Sequence, residues 1–87
     1  MYLNKNRFGN YVKNRRSELG LSLSELALNS GLNSDYLGYL ERGYGIGGVA
    51  VAPNLDDIHR ISIGLGVGFH ELIQYADLVK HSLDEEY

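Results

Sequence analysis

Gly43, Gly45 and Gly48 fall in the spacing G-x-G-x-x-G within the stretch ERGYGIGGVAVAPN. In a nucleotide-binding protein such glycines let the backbone approach a pyrophosphate that rests on a helix N-terminus. That chemistry needs a strand before the glycines, a helix opening on them and an acidic residue about 20 positions on. Here a helical pattern precedes them, and an apolar run ending at Pro53, the sole proline, follows. The context argues for a loop and against a dinucleotide cradle.

Other reactive constellations are sparse. His59, His70 and His81 stand eleven residues apart, without the spacing of a zinc cluster, so no metal and no cofactor is expected. The chain has no cysteine, which removes disulfides and thiolate ligands and leaves the redox compartment open. No nucleophile–base pair emerges, so the expectation is not an enzyme.

Charge carries more information. Lys5, Arg7, Lys13, Arg15 and Arg16 give the first 16 residues five basic and no acidic side chains. The remainder holds three basic and eleven acidic ones, for a net charge of −3. A chain polarised in this way can present a basic edge to a polyanion. Its 87 residues suit one small domain that buries roughly 60% of the unfolded surface. With no apolar leader and no apolar run of membrane-spanning length, a cytoplasmic protein without membrane contact is expected.

The elements that must position these groups read as helices. Phe8, Tyr11, Val12, Arg15 and Leu19 recur at helical spacing and predict a helix over 5–19, stopped by Gly20. Ser22 and Glu25 form an S-x-x-E capping box that opens a short helix over 23–29, closed by Gly31. Asn33 caps a helix over 34–42 with Leu37 and Leu40 inward, and Gly43 ends it. After the glycine-rich loop, Leu55, Ile58, Ile61 and Leu65 predict a helix over 55–64. Gly68 opens a last one over 69–82, with Phe69, Leu72, Ile73, Ala76 and Val79 on one face. The expected fold class is all-α, in five helices, with GVAVA as the one place where a strand can form. The domain is assigned to 1–82 and a short acidic tail to 83–87.

The ordered set Ser22, Glu25, Leu26, Ala27, Gly31, Tyr36, Leu37, Leu40, Glu41, Arg42, Gly43 in LSLSELALNSGLNSDYLGYLERG resembles the helix-turn-helix of the lambda-repressor-like, Xre/Cro-type family. YVKNRRSELGLS is similar to the family's first helix, and PNLDDIHRISIGLGVGFHELI to its fourth and fifth. Ala27 allows a close helix crossing, and Gly31 permits the turn. The resemblance implies a DNA-binding domain whose third helix enters the major groove. Carried across, it makes Asn33, Ser34, Asp35, Gly38 and Tyr39 base-reading candidates. Ser22, Ser24, Tyr36, Arg42 and Tyr44, with Lys13 of the first helix, become phosphate candidates. It also implies a structural ion pair between Arg16 and Glu41.

Several positions depart from the family pattern. Leu23 stands where a glutamine is common, and Ser34 and Tyr39 where arginine or lysine is frequent. Asp35 adds a negative charge to the same face. No lysine or arginine occurs from Gly43 to His59. Because phosphate neutralisation dominates affinity for DNA, these absences predict weak non-specific binding and a shallow salt dependence. The loop looks like an insertion of about six residues, at a place where insertions are well tolerated. Its glycine amides can lie near a phosphate, or its apolar residues Ile46, Val49 and Val51 can be buried, internally or between subunits.

The function expected is a sequence-specific transcriptional regulator of phage or mobile-element type. It would be a repressor working as a homodimer on double-stranded DNA with a palindromic operator. The alternative is a protein-binding module that uses the same fold to hold a regulator or antagonist. A toxin–antitoxin component combines the two.

Overall fold

A computed structural model of the chain describes residues 6–76. Five α-helices follow one another: α1 (Arg7–Glu18), α2 (Leu23–Ser30), α3 (Ser34–Arg42), α4 (Leu55–Leu65) and α5 (Phe69–Ile73). Each of the first four begins at a polar side chain that accepts a backbone amide. Asn6 Oδ1 takes the Gly9 amide at 3.2 Å, and Asn33 Oδ1 takes those of Asp35 and Tyr36 at 2.8 and 3.2 Å. Ser22 and Glu25 form the expected reciprocal box, with bonds of 3.0 and 2.7 Å. A second box, not foreseen, joins Asn54 to Asp57 at the start of α4. Such caps satisfy amides that a helix start leaves without partners.

Gly43 closes α3 at φ +91°, a conformation that a side chain would strain. α5 is shorter than the predicted 69–82: its helix ends at Ile73 and two turn bonds continue to Ala76. The rest of that prediction, Val79 and the tail over 83–87 lie outside the described residues.

The core is formed by Phe8 and Val12 of α1, Leu26 and Ala27 of α2, Leu37 and Leu40 of α3, Ile58, Ile61 and Leu65 of α4, and Leu72 of α5. α2 lies on α4, α1 on α3, and α2 also packs on α3. Burying each leucine contributes roughly 1.5–3 kcal/mol. Two residues that fit the apolar spacing are exposed instead. Leu19 follows the end of α1, and Leu55 sits in the first turn of α4 beyond the reach of its neighbours. Two glycines do what periodicity does not reveal. A Cβ on Gly9 would collide with the backbone carbonyls of Leu40 and Glu41, and one on Gly64 with Ser30 Oγ. Gly9 lets α1 approach α3 at backbone distance, and Gly64 leaves room on α4 for the Ser30 and Leu26 side chains of α2. Beside the core, Tyr11 stacks on Tyr75 at 4.3 Å and donates to Glu71 at 2.9 Å, fastening α5 to α1.

The C-terminal end of α3 is clamped by α1. Arg16 donates from Nε to Glu41 Oε2 at 2.7 Å and from Nη2 to Oε1 at 3.0 Å. Its Nη1 donates to the Leu21 carbonyl at 3.0 Å. Asn6, while capping α1, also donates to the Glu41 carbonyl at 2.6 Å. With side-chain exposures of 15% and 7%, the pair is largely shielded from water.

The loop forms no strand. A single antiparallel bridge pairs Tyr44 with Ala50, around a 3₁₀ turn over Ile46–Gly48. The reading of GVAVA as a possible strand is thereby corrected: one bridge cannot extend where Gly47 and Gly48 both turn at positive φ. Internal burial of the loop holds only for Val51, which packs on the core, whereas Ile46 and Val49 are 82% and 66% exposed.

Removing one partner of a buried pair strands the other charge, so Glu41→Ala should destabilise the domain by about 3 kcal/mol in urea unfolding. Gly9→Ala should lose roughly 1–3 kcal/mol despite the better helix propensity of alanine, because the added methyl meets backbone. An unchanged urea midpoint in either variant would contradict the corresponding contact.

Candidate nucleic-acid interface

Leu37, Leu40 and Glu41 occupy the inward side of α3 at offsets of three and four, so Asp35, Tyr39 and Arg42 must face outward. Asp35 and Arg42 are exposed, and Ser34 and Tyr39 half-buried. Asn33, exposed just before the helix, spends its amide oxygen on the cap and keeps its amide NH₂ outward-capable. The Arg42 guanidinium stands 5.2 Å from the ring centres of both Tyr39 and Tyr44, a double cation–π contact that restrains a long flexible side chain. Gly45 passes close over the Tyr39 ring, where any Cβ would lie at 3.4 Å, so the loop is docked against the helix it follows.

Beside this group, α1, the start of α2 and α3 enclose a surface hollow of about 380 Å³. Lys13 and Asn10 line it from α1, Leu23 from α2, Gly38 and Arg42 from α3, and Tyr44 from the loop. Three of the phosphate candidates, Lys13, Arg42 and Tyr44, thus share one concave surface. Asn10 was not anticipated. Its position three residues before Lys13 on one helix face was the signal available. Ser22 and Ser24 are exposed at the start of α2, and the Ser22 oxygen is engaged by the Glu25 amide.

Two candidates are placed differently from expectation. Gly38 is buried beside Leu23 and Arg42 and has no side chain to offer a base. Tyr36 turns inward: its hydroxyl donates to Asp57 Oδ2 at 2.6 Å. A phosphate would have to take that hydrogen from a buried carboxylate. Burial first, then the bond to Asp57 and its negative charge, push the Tyr36 phenol up to about 12. Burial and the bond to Glu71 also raise the Tyr11 phenol.

Among the described residues, no three histidine, aspartate or glutamate side chains stand together in a metal-holding group. His59 packs edge-on against Phe69 at 6.1 Å, and His81 lies outside the described residues. No helix of the described part is long and apolar enough to cross a membrane.

Comparison with known proteins agrees with this arrangement. The chain is 32% identical over 81 residues to the helix-turn-helix-type transcriptional regulator SinR of Bacillus licheniformis, covering 91% of this chain and 68% of that protein. Among solved structures, it matches the restriction-modification controller protein C.AhdI from Aeromonas hydrophila with a TM-score of 0.66 and 32% identity. That match covers 76% of this chain and 91% of C.AhdI. The N-terminal DNA-binding domain of SinR from Bacillus subtilis gives 0.65 and 32%, over 78% of this chain and 91% of that domain. The chain belongs to the lambda-repressor-like, Xre/Cro-type helix-turn-helix family. No protein-family model matches it. Within that family fold, α2 and α3 are the helix-turn-helix, and the hollow lies between the pair and α1.

The raised Tyr36 pKa has a signed consequence. A phenol held neutral by the fold contributes stability that is fully present below its unfolded pKa of 10.0 and is lost as pH rises towards about 12. Tyr11 acts in the same direction. Alkaline unfolding should therefore steepen over that window, and ultraviolet titration should find a late tyrosine step near 12. In Tyr36→Phe that late step should be missing; its persistence would assign it elsewhere.

Proposed function

We propose that the chain is a sequence-specific DNA-binding transcriptional regulator. It acts as a repressor of phage or mobile-element type, in the cytoplasm, as a homodimer on a palindromic operator with half-sites about 34 Å apart. The observation that carries this reading is an outward face of α3 held at its C-terminal end by a buried ion pair, with two cations gathered beside it. Its similarity to SinR and to a restriction-modification controller protein supports the same use.

In this reading Asn33, Ser34, Asp35 and Tyr39 meet base edges. The Asp35 carboxylate suits a cytosine amino group and repels phosphate. Lys13, Arg42 and Tyr44 hold the backbone from the hollow, and Ser22 and Ser24 hold it from the start of α2. Arg42 is the best placed of these, since the two tyrosine rings limit the entropy it loses on binding. The double-stranded DNA is thus positioned by few charges and selected mainly by contacts at its edges.

A second reading, the protein-binding module, draws on a different observation. Ile46 and Val49 project from the loop, and Leu23, Asp35 and Tyr39 form a face with little positive charge. An antagonist protein could cover it, since aromatic residues are enriched in interface cores.

Titration with the DNA upstream of its own coding region, across a salt series, separates the two. Specific binding is expected, with a shallow slope that Lys13→Ala and Arg42→Ala each reduce by about one. Asn33→Ala should relax preference at particular bases. Sedimentation with a full operator should give two chains per duplex. Equal affinity for scrambled DNA at low salt would transfer the face to a protein partner.

A further inference from the structure

The C-terminal half of α3 is held by Arg16 and Asn6, but neither reaches its first turn. Leu37 and Leu40 form a narrow apolar stripe about which a helix can roll. What secures the first turn is a different contact. The Tyr36 hydroxyl donates to Asp57 Oδ2 at 2.6 Å, the short distance typical of a phenol bonded to a charged carboxylate. Asp57 is itself held in place: it is 5% exposed, and the same oxygen accepts the Asn54 amide at 3.1 Å in the capping box of α4. Its charge also sits at the N-terminus of α4, where the helix dipole favours it. One phenol thus ties the start of α3 to the start of α4, elements joined in sequence only through the long loop.

We propose that Tyr36 and Asp57 are a positioning pair that sets the roll of α3 and so determines which bases its first turn can read. The proposal rests on the regulator reading of the site and reassigns Tyr36 from touching DNA to acting through Asp57. Without the bond, Leu37 and Leu40 still bury α3, and Asn33, Ser34 and Asp35 meet the groove at several angles instead of one. Affinity for the best sequence falls, and the penalty for the wrong base at those positions falls with it.

The test compares the full chain with Tyr36→Phe, Asp57→Ala and the double variant, each selected against a random pool of duplexes and then titrated on the best site. Tyr36→Phe keeps the ring and the packing. It should bind the wild-type site about tenfold more weakly and accept more bases under the first turn of α3. Asp57→Ala should shift base preference in the same way, and the double variant should bind no more weakly than Asp57→Ala. If Tyr36→Phe weakens all sequences equally while Asp57→Ala leaves binding intact, Tyr36 touches the DNA itself and the pair has no positioning role. Should Asp57→Ala not fold, an unchanged base profile in Tyr36→Phe is enough to overturn the proposal.

A DNA-free measurement keeps the two readings apart. Hydrogen exchange of the Asp35, Tyr36 and Leu37 amides should quicken in Tyr36→Phe while α1 is unaffected. A wild-type chain that enriches no motif would defeat the regulator reading. The pair would then stand or fall on whether those three amides quicken.

Discussion

The buried pairing of Glu41 with Arg16 is the constraint on which the working face depends. It places a carboxylate in the last turn of α3 and a guanidinium near the end of α1, with both oxygens of one matched to two nitrogens of the other. Such a pair adds little net stability over an apolar contact, because desolvation offsets much of the attraction. What it adds is direction. Leucine packing alone lets the end of a helix slide along its neighbour, whereas two parallel hydrogen bonds at the last turn do not. Gly9 makes the pairing possible by letting α1 come within backbone distance of α3, and Asn6 completes it on the Glu41 carbonyl.

The outward face is short of charge, and the structure compensates by restraint. Arg42 stands between two tyrosine rings, and Tyr39 is itself covered by the loop at Gly45. A cation held in place loses less entropy on meeting a phosphate than one on a free side chain. At Gly38, Leu23 and Arg42 lie over the middle of the helix. A face built in this manner offers shape more than charge.

The glycine-rich loop is a short excursion anchored at both ends. Backbone bonds from Gly45 to Val49 and from Val51 to Gly43 close its base, and Val51 packs inward. The glycines are needed for the reversal at its tip. They do not form a phosphate cradle in the dinucleotide sense, since no helix opens on them. Ile46 and Val49 are left at the tip in water, the arrangement least explained by folding alone.

Signals local in the chain were legible from the residues. The Ser22–Glu25 box, the Asn33 cap, and the stops at Gly31 and Gly43 involve partners within four positions, so type and spacing are sufficient. The leucine and isoleucine periodicity gave the inward faces for the same reason. The Arg16–Glu41 pair was reached only through resemblance to a family, because a pairing across 25 residues leaves no local mark. Tertiary structure alone decided the rest. Gly9 and Gly64 look like ordinary helix interruptions until a neighbouring helix is laid against them. Leu19 and Leu55 fit an apolar period but sit at helix ends that the core does not reach. Tyr36 reads as an exposed aromatic on a recognition helix, yet its hydroxyl is claimed by Asp57, 21 residues away. Sequence determines which side of each helix is apolar, since that depends on the helix's own period. Which polar atoms remain for a partner depends on what the other helices have already taken.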